Sequence, residues 1–134
     1  MRRWMNKDSL LELLDKAKQA AQNAYAPYSG YKVGAALLDT SGKIHLGCNV
    51  ENASYSLTNC AERTAIFKAV SEGVRDFQAL AVWVESDTIF PPCGACRQVI
   101  SEFAPQIPVI FGNSDRYEIT DAATLLPSAF SLHK

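Results

Sequence analysis

The stretch FQALAVWV, residues 77–84, indicates which kind of fold this chain adopts. It is almost continuously apolar, which is typical of a strand buried on both faces of a sheet. A run with helical spacing follows at 93–103, and a short apolar run follows at 108–111. A strand, a helix and a strand in this order form a right-handed crossover with parallel strands. The sequence therefore predicts a parallel strand pair connected by the helix 93–103.

The segments before this unit add a helix, a hairpin and a second helix. Apolar residues between positions 10 and 24 recur at helical spacing, and Asp8 or Ser9 can cap that helix. Strand-like runs at 32–38 and 43–48 flank the turn residues DTSG and predict a hairpin. Residues 49–59 are polar and predict a loop. The remaining predicted elements are a helix at 60–70, a strand at 117–120 and a helical turn at 121–126.

These elements predict a mixed sheet with helices on both faces, which is an α/β fold. The 134 residues are close to the commonest size of one domain, so we expect a single domain over residues 1–134. Because 48% of the residues are hydrophobic, one sizeable core can form.

The composition argues against several classes of partner. The formal net charge is −1 and the basic residues are scattered, whereas nucleic-acid binding needs a concentrated basic surface. No apolar run approaches the roughly 20 residues that span a bilayer, and charges interrupt the apolar residues near the N-terminus. We therefore expect no nucleic-acid partner, no membrane partner and no signal peptide. Four cysteines in such a chain predict a reduced, cytoplasmic setting.

Three of the four cysteines lie at predicted helix starts. Cys60 opens one helix, Cys93 opens another, and Cys96 follows about one turn later. The positive end of a helix favours a thiolate over a thiol, and residues three positions apart share a helix face. Cys93 and Cys96 can therefore bind one ion. Cys60 can reach the same ion if the two helix starts converge at the carboxyl ends of neighbouring strands.

Three thiolates leave one position of a tetrahedral zinc ion open, and an open position is typical of a catalytic zinc site. His45 and His133 are further candidate ligands, whereas Cys48 is expected to be a small buried apolar residue. Glu62, two residues after Cys60, places a carboxylate beside the metal. There it can take a proton from a bound water and give one to a leaving group.

Positive groups must offset the negative charge of a zinc ion held by three thiolates, because that charge opposes ionisation of a bound water. The two helix N-termini contribute. Arg63 is expected to hydrogen-bond a thiolate as a supporting residue behind the ligands. Arg97 either does the same or lies solvated at the surface, and the sequence leaves that choice open.

The sequence CAE at 60–62 followed by PCGAC at 92–96 resembles the signature of zinc-dependent deaminases. Further blocks agree in order, namely YSGYKVGAAL at 28–37, GCNVENA at 47–53 and LLPSAF at 125–130. Over roughly residues 20 to 130 the chain is thus similar to the small homotetrameric cytidine deaminases.

This resemblance implies a three-layer α/β/α fold with a mixed five-stranded sheet. It implies one zinc ion per chain, held by Cys60, Cys93 and Cys96. The implied reaction converts cytidine and 2′-deoxycytidine to uridine and 2′-deoxyuridine in pyrimidine salvage. Zinc-bound hydroxide attacks C4 of cytosine, while Glu62 carries protons to ring N3 and then to the departing ammonia.

The resemblance also assigns substrate contacts. Asn49 and Glu51 match a pair that holds the ribose 3′-hydroxyl, to which an amide and a carboxylate can together donate and accept. The backbone of Ala61 matches a contact to the base. Tyr31 stands where the family commonly has Phe, at a position expected to stack on the pyrimidine, and Tyr can stack as well.

The resemblance implies a homotetramer with shared active sites. Tyr55 and Phe130 match positions that, in this family, reach the site of a neighbouring subunit. The partners that follow are a small-molecule nucleoside and three further copies of the chain.

Four alternative functions stay open on the sequence alone. Blasticidin S deaminases share the zinc and Glu motifs but resemble the chain less between residues 49 and 64. Nucleic-acid editing deaminases need a surface that holds a strand. A thiol oxidoreductase that uses CGAC at 93–96 leaves Cys60 and Glu62 without a role. A non-catalytic zinc module requires a fourth protein ligand.

Overall fold

The computed structural model describes residues 5–132, whose strands form one mixed sheet. The strands are β1 Val33–Asp39, β2 Ile44–Cys48, β3 Phe77–Val84, β4 Pro108–Gly112 and β5 Tyr117–Asp121. They lie in the order β2-β1-β3-β4-β5. β3 and β4 are parallel, and the other neighbouring pairs are antiparallel. The predicted parallel pair and the mixed five-stranded sheet are confirmed.

The helices of the described residues are α1 Lys7–Ala21, α2 Ala61–Ser71, α3 Gly94–Phe103 and α4 Ala122–Leu125, with a 3₁₀ turn at Tyr55–Leu57. Asn6 caps α1, because its side-chain oxygen accepts the backbone N–H of Ser9 at 2.8 Å. The predicted caps Asp8 and Ser9 are therefore wrong, since both lie inside the first turn. No helix within residues 5–132 has the length and apolar character that crossing a bilayer requires.

Alternate side chains of β3 enter two different cores. Ala79, Ala81 and Trp83 pack with the apolar face of α1. Leu80 and Val82 point to the opposite face, where they pack with residues of α2 and α3. This explains the continuous apolar run at 77–84, since a strand covered on both faces has no solvent side. The three-layer α/β/α architecture is confirmed. That residues 1–134 form one domain stays a prediction, because the first four and last two residues lie outside the described part.

Two glycines allow the helices to approach the sheet closely. A Cβ atom at Gly34 would lie 1.9 Å from the carbonyl oxygen of Ala17 in α1. A Cβ atom at Gly47 would lie 2.5 Å from the backbone nitrogen of Ala65 in α2. Any side chain at either position would displace a helix from the sheet. The second contact matters for the site, because it fixes α2 against the end of β2.

The carboxylate of Asp39 accepts hydrogen bonds from the turn of the β1–β2 hairpin. Asp39 Oδ1 accepts the backbone N–H groups of Ser41 at 2.8 Å and Lys43 at 3.0 Å, and also the Ser41 hydroxyl at 2.6 Å. Its Oδ2 atom lies 2.8 Å from Nε2 of the buried His45. The hydrogen bonds from Ser41 and His45 hold the pKa of Asp39 well below its usual range. His45 is therefore engaged within the hairpin.

Candidate active site

The strand directions bring the starts of α2 and α3 to one edge of the sheet. β2 and β3 are both antiparallel to β1, so they point the same way. α3 follows β3 directly in the chain. The loop after β2 returns to that strand's end, because Val50 and Asn59 exchange two backbone hydrogen bonds of 3.0 Å. Cys60, the N-cap of α2, and Cys93, the N-cap of α3, consequently meet.

Three sulfur atoms converge at this edge. The Sγ atom of Cys93 lies 3.9 Å from that of Cys60 and 3.4 Å from that of Cys96. All three Sγ atoms lie within 4.8 Å of one another. They form the one group of metal-ligating side chains of this kind among residues 5–132. His45 and Cys48 are not part of it, and His133 lies outside the described residues. Cys48 is half-buried rather than buried as predicted.

The three cysteines fit a zinc ion. With Zn–S bonds of about 2.3 Å, tetrahedral geometry places two sulfur ligands about 3.8 Å apart. The two separations from Cys93, 3.9 and 3.4 Å, lie near that value, and thiolates are the soft donors that zinc accepts. The cluster supplies three donors, one fewer than a closed structural zinc site, and two of them, Cys60 and Cys93, line a cavity. The zinc cofactor prediction is confirmed by this donor set together with the family comparison given below.

The electrostatic surroundings favour a thiolate at Cys60. The hydrogen bond with Cys96 and the neighbouring guanidinium of Arg63 lower the pKa of Cys60 to about 5. The same hydrogen bond, together with burial, raises the pKa of Cys96. These surroundings therefore favour the ionised form of Cys60 and the protonated form of Cys96. A metal ion must displace the proton of Cys96, since only thiolates ligate zinc.

Two arginines stand behind the cluster and have different partners. Arg63 Nη2 donates to Cys60 Sγ at 3.2 Å, while its Nε is a buried nitrogen without a partner in the described part of the chain. Arg97 touches no thiolate. Its Nε donates to the carbonyl of Pro92 at 2.7 Å, and its Nη1 donates to the carbonyl of Leu125 at 3.0 Å. Arg97 therefore ties the residue before Cys93 to the end of α4.

Glu62 is buried at the floor of a cavity beside the cysteines. Its side chain lies in the first turn of α2 and is only 5% exposed. Burial raises the pKa of this carboxyl to about 7. The carboxylate is not part of the sulfur cluster. It is therefore placed to exchange protons with a molecule in the cavity without ligating the metal.

The cavity has a volume of about 250 Å³ and is lined by three kinds of residue. Next to the sulfur cluster, the lining includes Cys60, Cys93 and Glu62, together with Ala61. Other lining residues contribute hydroxyl, amide and carboxyl groups, and the rest are apolar or aromatic. The polar group includes Ser29, Asn49 and Glu51. The apolar and aromatic group includes Tyr31, Val82 and Phe90. A largely apolar cavity with a few hydroxyl, amide and carboxyl groups suits a planar ring joined to a polyol.

Asn49 and Glu51 both line the cavity and both hold the loop that precedes β1. Asn49 Nδ2 donates to the carbonyl of Tyr31 at 2.8 Å, and its Oδ1 accepts the N–H of Val33 at 2.9 Å. Glu51 accepts the Ser29 hydroxyl and two backbone N–H groups of the same loop. These bonds, that of the Ser29 hydroxyl above all, lower the pKa of Glu51. Each side chain keeps further hydrogen-bonding capacity, since a carboxylate and an amide have more sites than these bonds occupy.

The predicted aromatic contacts divide into two groups. Tyr31 lines the cavity and is half-exposed. Tyr55 lies outside the cavity lining, in a neighbouring recess where its ring packs edge-on against Tyr28 at 6.5 Å. Phe130 is 70% exposed and also lies outside the cavity lining. The structure thus brings only Tyr31 to the cavity of its own chain.

Phe90 lines the cavity and had no sequence signal. Its ring packs edge-on against Tyr31, with 5.7 Å between ring centroids and an interplanar angle of 78°. A single aromatic residue in a loop of unknown path cannot be assigned to a pocket from periodicity. Thr58 and Ser29 were missed for the same reason.

Comparison with known proteins gives consistent results. The family model of the cytidine and deoxycytidylate deaminase zinc-binding region matches residues 7–112. A cytidine deaminase from Sporosarcina psychrophila is 55% identical over 122 residues, which are 90% of each chain. The crystal structure of a cytidine deaminase from Burkholderia pseudomallei has a TM-score of 0.86 and 49% identity, covering 94% of this chain and 100% of that one. A blasticidin-S deaminase from Bacillus cereus is 30% identical over 129 residues, covering 90% of this chain and 91% of that protein.

Proposed function

The chain belongs to the cytidine and deoxycytidylate deaminase family, and from this premise we propose that it is a zinc-dependent cytidine deaminase. It hydrolyses cytidine and 2′-deoxycytidine to uridine and 2′-deoxyuridine. One observation carries the proposal above the others. Three convergent thiols, one fewer than a closed structural zinc site has, stand beside a cavity whose lining includes a buried carboxyl group.

Cys60, Cys93 and Cys96 hold the ion. When bound, zinc supplies a Lewis acid that makes water a strong nucleophile near neutral pH. Glu62 does the proton transfers, because its carboxyl group is buried at the cavity and is not a ligand. It takes a proton from the attacking water, passes one to N3 of the cytosine ring, and delivers one to the departing nitrogen. One water is consumed, the bond from C4 to nitrogen breaks, and ammonia leaves.

The proposed substrate orientation follows from the polar and aromatic residues of the cavity lining. Asn49 and Glu51 bind the ribose 3′-hydroxyl with the capacity that their bonds to the loop leave free. The backbone of Ala61 contacts the base at the metal end, and the ring of Tyr31 stacks on the pyrimidine. The positions of all four in the cavity lining support these roles.

Arg63 offsets the negative charge of the metal centre. Its guanidinium donates to Cys60 Sγ, which is one of the proposed ligands. A cation beside a thiolate stabilises the ionised form of the sulfur. It also reduces the negative charge that the thiolate donates to the metal.

We propose a homotetramer in which neighbouring chains complete each site. Support comes from apolar side chains that are exposed around the recess next to the cavity and in the C-terminal segment. They include Tyr55 at 78%, Leu57 at 69%, Phe130 at 70% and Leu132 at 82% exposed. Such a set of exposed aromatic and aliphatic groups is typical of surfaces that associate. Light scattering should give about four times the 14.7 kDa mass of the chain.

The setting proposed for this enzyme is the cytoplasm, with pyrimidine salvage as its role. The four cysteines are free in the structure, and three of them need to stay reduced to hold zinc. A reducing compartment provides that condition. The reaction acts on a free nucleoside, which is the chemistry of salvage rather than of nucleic-acid editing.

An assay of zinc-quantified protein against four substrates tests the proposal. Cytidine, 2′-deoxycytidine, cytosine and blasticidin S are compared by the loss of amino-pyrimidine absorbance. We expect turnover of both nucleosides, because Asn49 and Glu51 of the cavity lining can hydrogen-bond the 3′-hydroxyl that both carry. Turnover of blasticidin S alone would replace this function by that of the less similar relative.

A further inference from the structure

We propose that Phe90 determines substrate specificity by limiting the size of substituents on C5 of the pyrimidine. This inference rests on the proposed function, because it takes the orientation of cytosine from it. Phe90 lines the same cavity as Glu62 but enters it from another element, the loop between β3 and α3.

Phe90 is held in place on both sides. Its ring packs edge-on against Tyr31 with 5.7 Å between centroids, so the two aromatic rings form a corner of the cavity wall. On the chain side, Pro91 and Pro92 follow directly, and each proline fixes its own φ angle. The carbonyl of Pro92 also accepts the 2.7 Å hydrogen bond from Arg97. The path from Phe90 to Cys93 is therefore short and fixed.

The reaction geometry directs one edge of the base toward this corner. In cytosine, N3 and C5 flank C4 on opposite sides. A ring whose C4 is presented to the metal side and whose N3 meets Glu62 turns its C5 edge away from α2. The cavity residues supplied from the β3–α3 loop are Phe90, Pro91 and Cys93. Of these, Phe90 has the largest side chain, and three residues of extended chain keep it within about 11 Å of the metal ligand.

A large aromatic ring at this place has a defined consequence. It leaves room for hydrogen on C5 and obstructs a methyl group or a halogen. One methylene-sized change in an apolar pocket alters discrimination by about 10-fold to 200-fold. Phe90→Val removes most of the ring while keeping the pocket apolar, so it should admit the larger bases.

The test compares kcat/KM for cytidine, 5-methylcytidine and 5-iodocytidine in the wild-type enzyme and in Phe90→Val. For each protein, kcat/KM for a substituted cytidine is divided by kcat/KM for cytidine. This ratio in the variant is then divided by the same ratio in the wild type. This division cancels the intrinsic reactivity of each base. We expect the relative value for 5-iodocytidine to rise about tenfold or more, and that for 5-methylcytidine to rise less.

Phe67→Val is the matched control. Phe67 lies on α2, is 45% exposed against 40% for Phe90, and is not among the residues that line the cavity. The relative kcat/KM values of Phe67→Val for the two substituted cytidines should stay within about twofold of those of the wild type. Thermal unfolding of both variants shows whether each remains folded.

Four outcomes decide the proposal. A rise in relative activity toward the larger bases only in Phe90→Val supports it. An unchanged ratio in a folded Phe90→Val that still turns over cytidine overturns the assignment of Phe90 and leaves the proposed function standing. A higher KM for all three substrates by the same factor also overturns it, because Phe90 would then only support Tyr31. If the wild-type enzyme turns over no cytidine, the proposed function fails and this inference fails with it.

Discussion

The Sγ atoms of Cys60 and Cys93 lie 3.9 Å apart, although 33 positions separate the two residues in the chain. Both are N-cap residues, and their helices start at the same edge of the sheet because β2 and β3 point the same way. The metal centre is therefore a consequence of the topology. Its ligands need no dedicated loop, since two helix starts present them.

Replacing the cysteines tests the number of ligands. Cys96→Ala should lose the bound zinc, because the two sulfur atoms that remain bind the metal too weakly. Cys48→Ala is the control and should retain about one zinc per chain, since Cys48 is outside the sulfur cluster. Metal content after dialysis, measured by atomic emission, checks both. Loss of zinc from Cys48→Ala would contradict the three-ligand site.

Arg97→Lys tests whether the support of the loop at Cys93 matters for metal retention. A lysine can reach one of the two carbonyls that Arg97 now binds, so at least one hydrogen bond of about 1 kcal/mol is lost. We expect zinc transfer to a chromogenic chelator to become roughly fivefold to tenfold faster.

Arg75→Lys controls for the general loss of an arginine. Arg75 likewise donates to two carbonyls, but that of Val70 lies in the last turn of α2 and that of Val74 just after the helix, at the end away from the cysteines. This variant should lower the thermal stability without changing the rate of zinc release. Equal rates of release in the two variants would show that Arg97 has only a general structural role.

Asn49→Asp tests the link between the polar side of the cavity and the loop of Tyr31. The amide group of Asn49 donates to the carbonyl of Tyr31, and a carboxylate would face that carbonyl with an oxygen instead. We expect kcat/KM for cytidine to fall about 10-fold to 100-fold, mainly through KM. Asn52→Asp should be close to wild type, because Asn52 is exposed and acts as an acceptor there. The idea is refuted by a wild-type KM in a folded Asn49→Asp.

The Asp39 carboxylate in the β1–β2 hairpin should make the free energy of unfolding depend on pH. The hydrogen bonds from Ser41 and His45 depress the pKa of Asp39 in the folded chain, so its ionised form stabilises the fold. That contribution is fully present above the unfolded-state pKa of about 4 and is lost as the pH falls toward the folded-state value. Urea unfolding between pH 3 and 7 should show that Asp39→Asn has less loss of stability in acid than the wild type.

Asp115→Asn provides the comparison for that measurement. Asp115 is an exposed aspartate away from the hairpin. Its replacement should leave the acid dependence as in the wild type, while zinc loss in acid affects all three proteins alike. Parallel acid profiles for Asp39→Asn and the wild type would exclude Asp39 as the origin.

Much of the fold could be predicted because the strongest patterns are local. The apolar run at 77–84 and the helical spacing of 93–103 each describe one element, and the rule for parallel crossovers joins them. The cysteine spacing then indicated the metal, since residues three apart on a helix share a face. The N-cap of α1 was missed because Asn6, Asp8 and Ser9 are all competent caps, and only the backbone angles select Asn6.

The wall of the cavity could not be predicted, because it depends on contacts between loops distant in sequence. Phe90 meets Tyr31 across 59 positions, and neither loop has a period that fixes its path. For the same reason, the sequence left Arg97 undecided between a hydrogen bond to a thiolate and a solvated position at the surface. Its side chain binds the carbonyl of Leu125, 28 positions away, which no local pattern indicates.

The most direct test of the central claim compares uridine formation by the zinc-loaded wild-type protein and by Glu62→Gln. The glutamine keeps the size of the side chain and cannot shuttle a proton. We predict about one zinc per chain in both proteins and a fall in kcat of about 10²-fold or more in the variant. Wild-type turnover by zinc-loaded Glu62→Gln would contradict the proton-transfer role, and loss of zinc from the variant would contradict the assignment of Glu62 as a non-ligand.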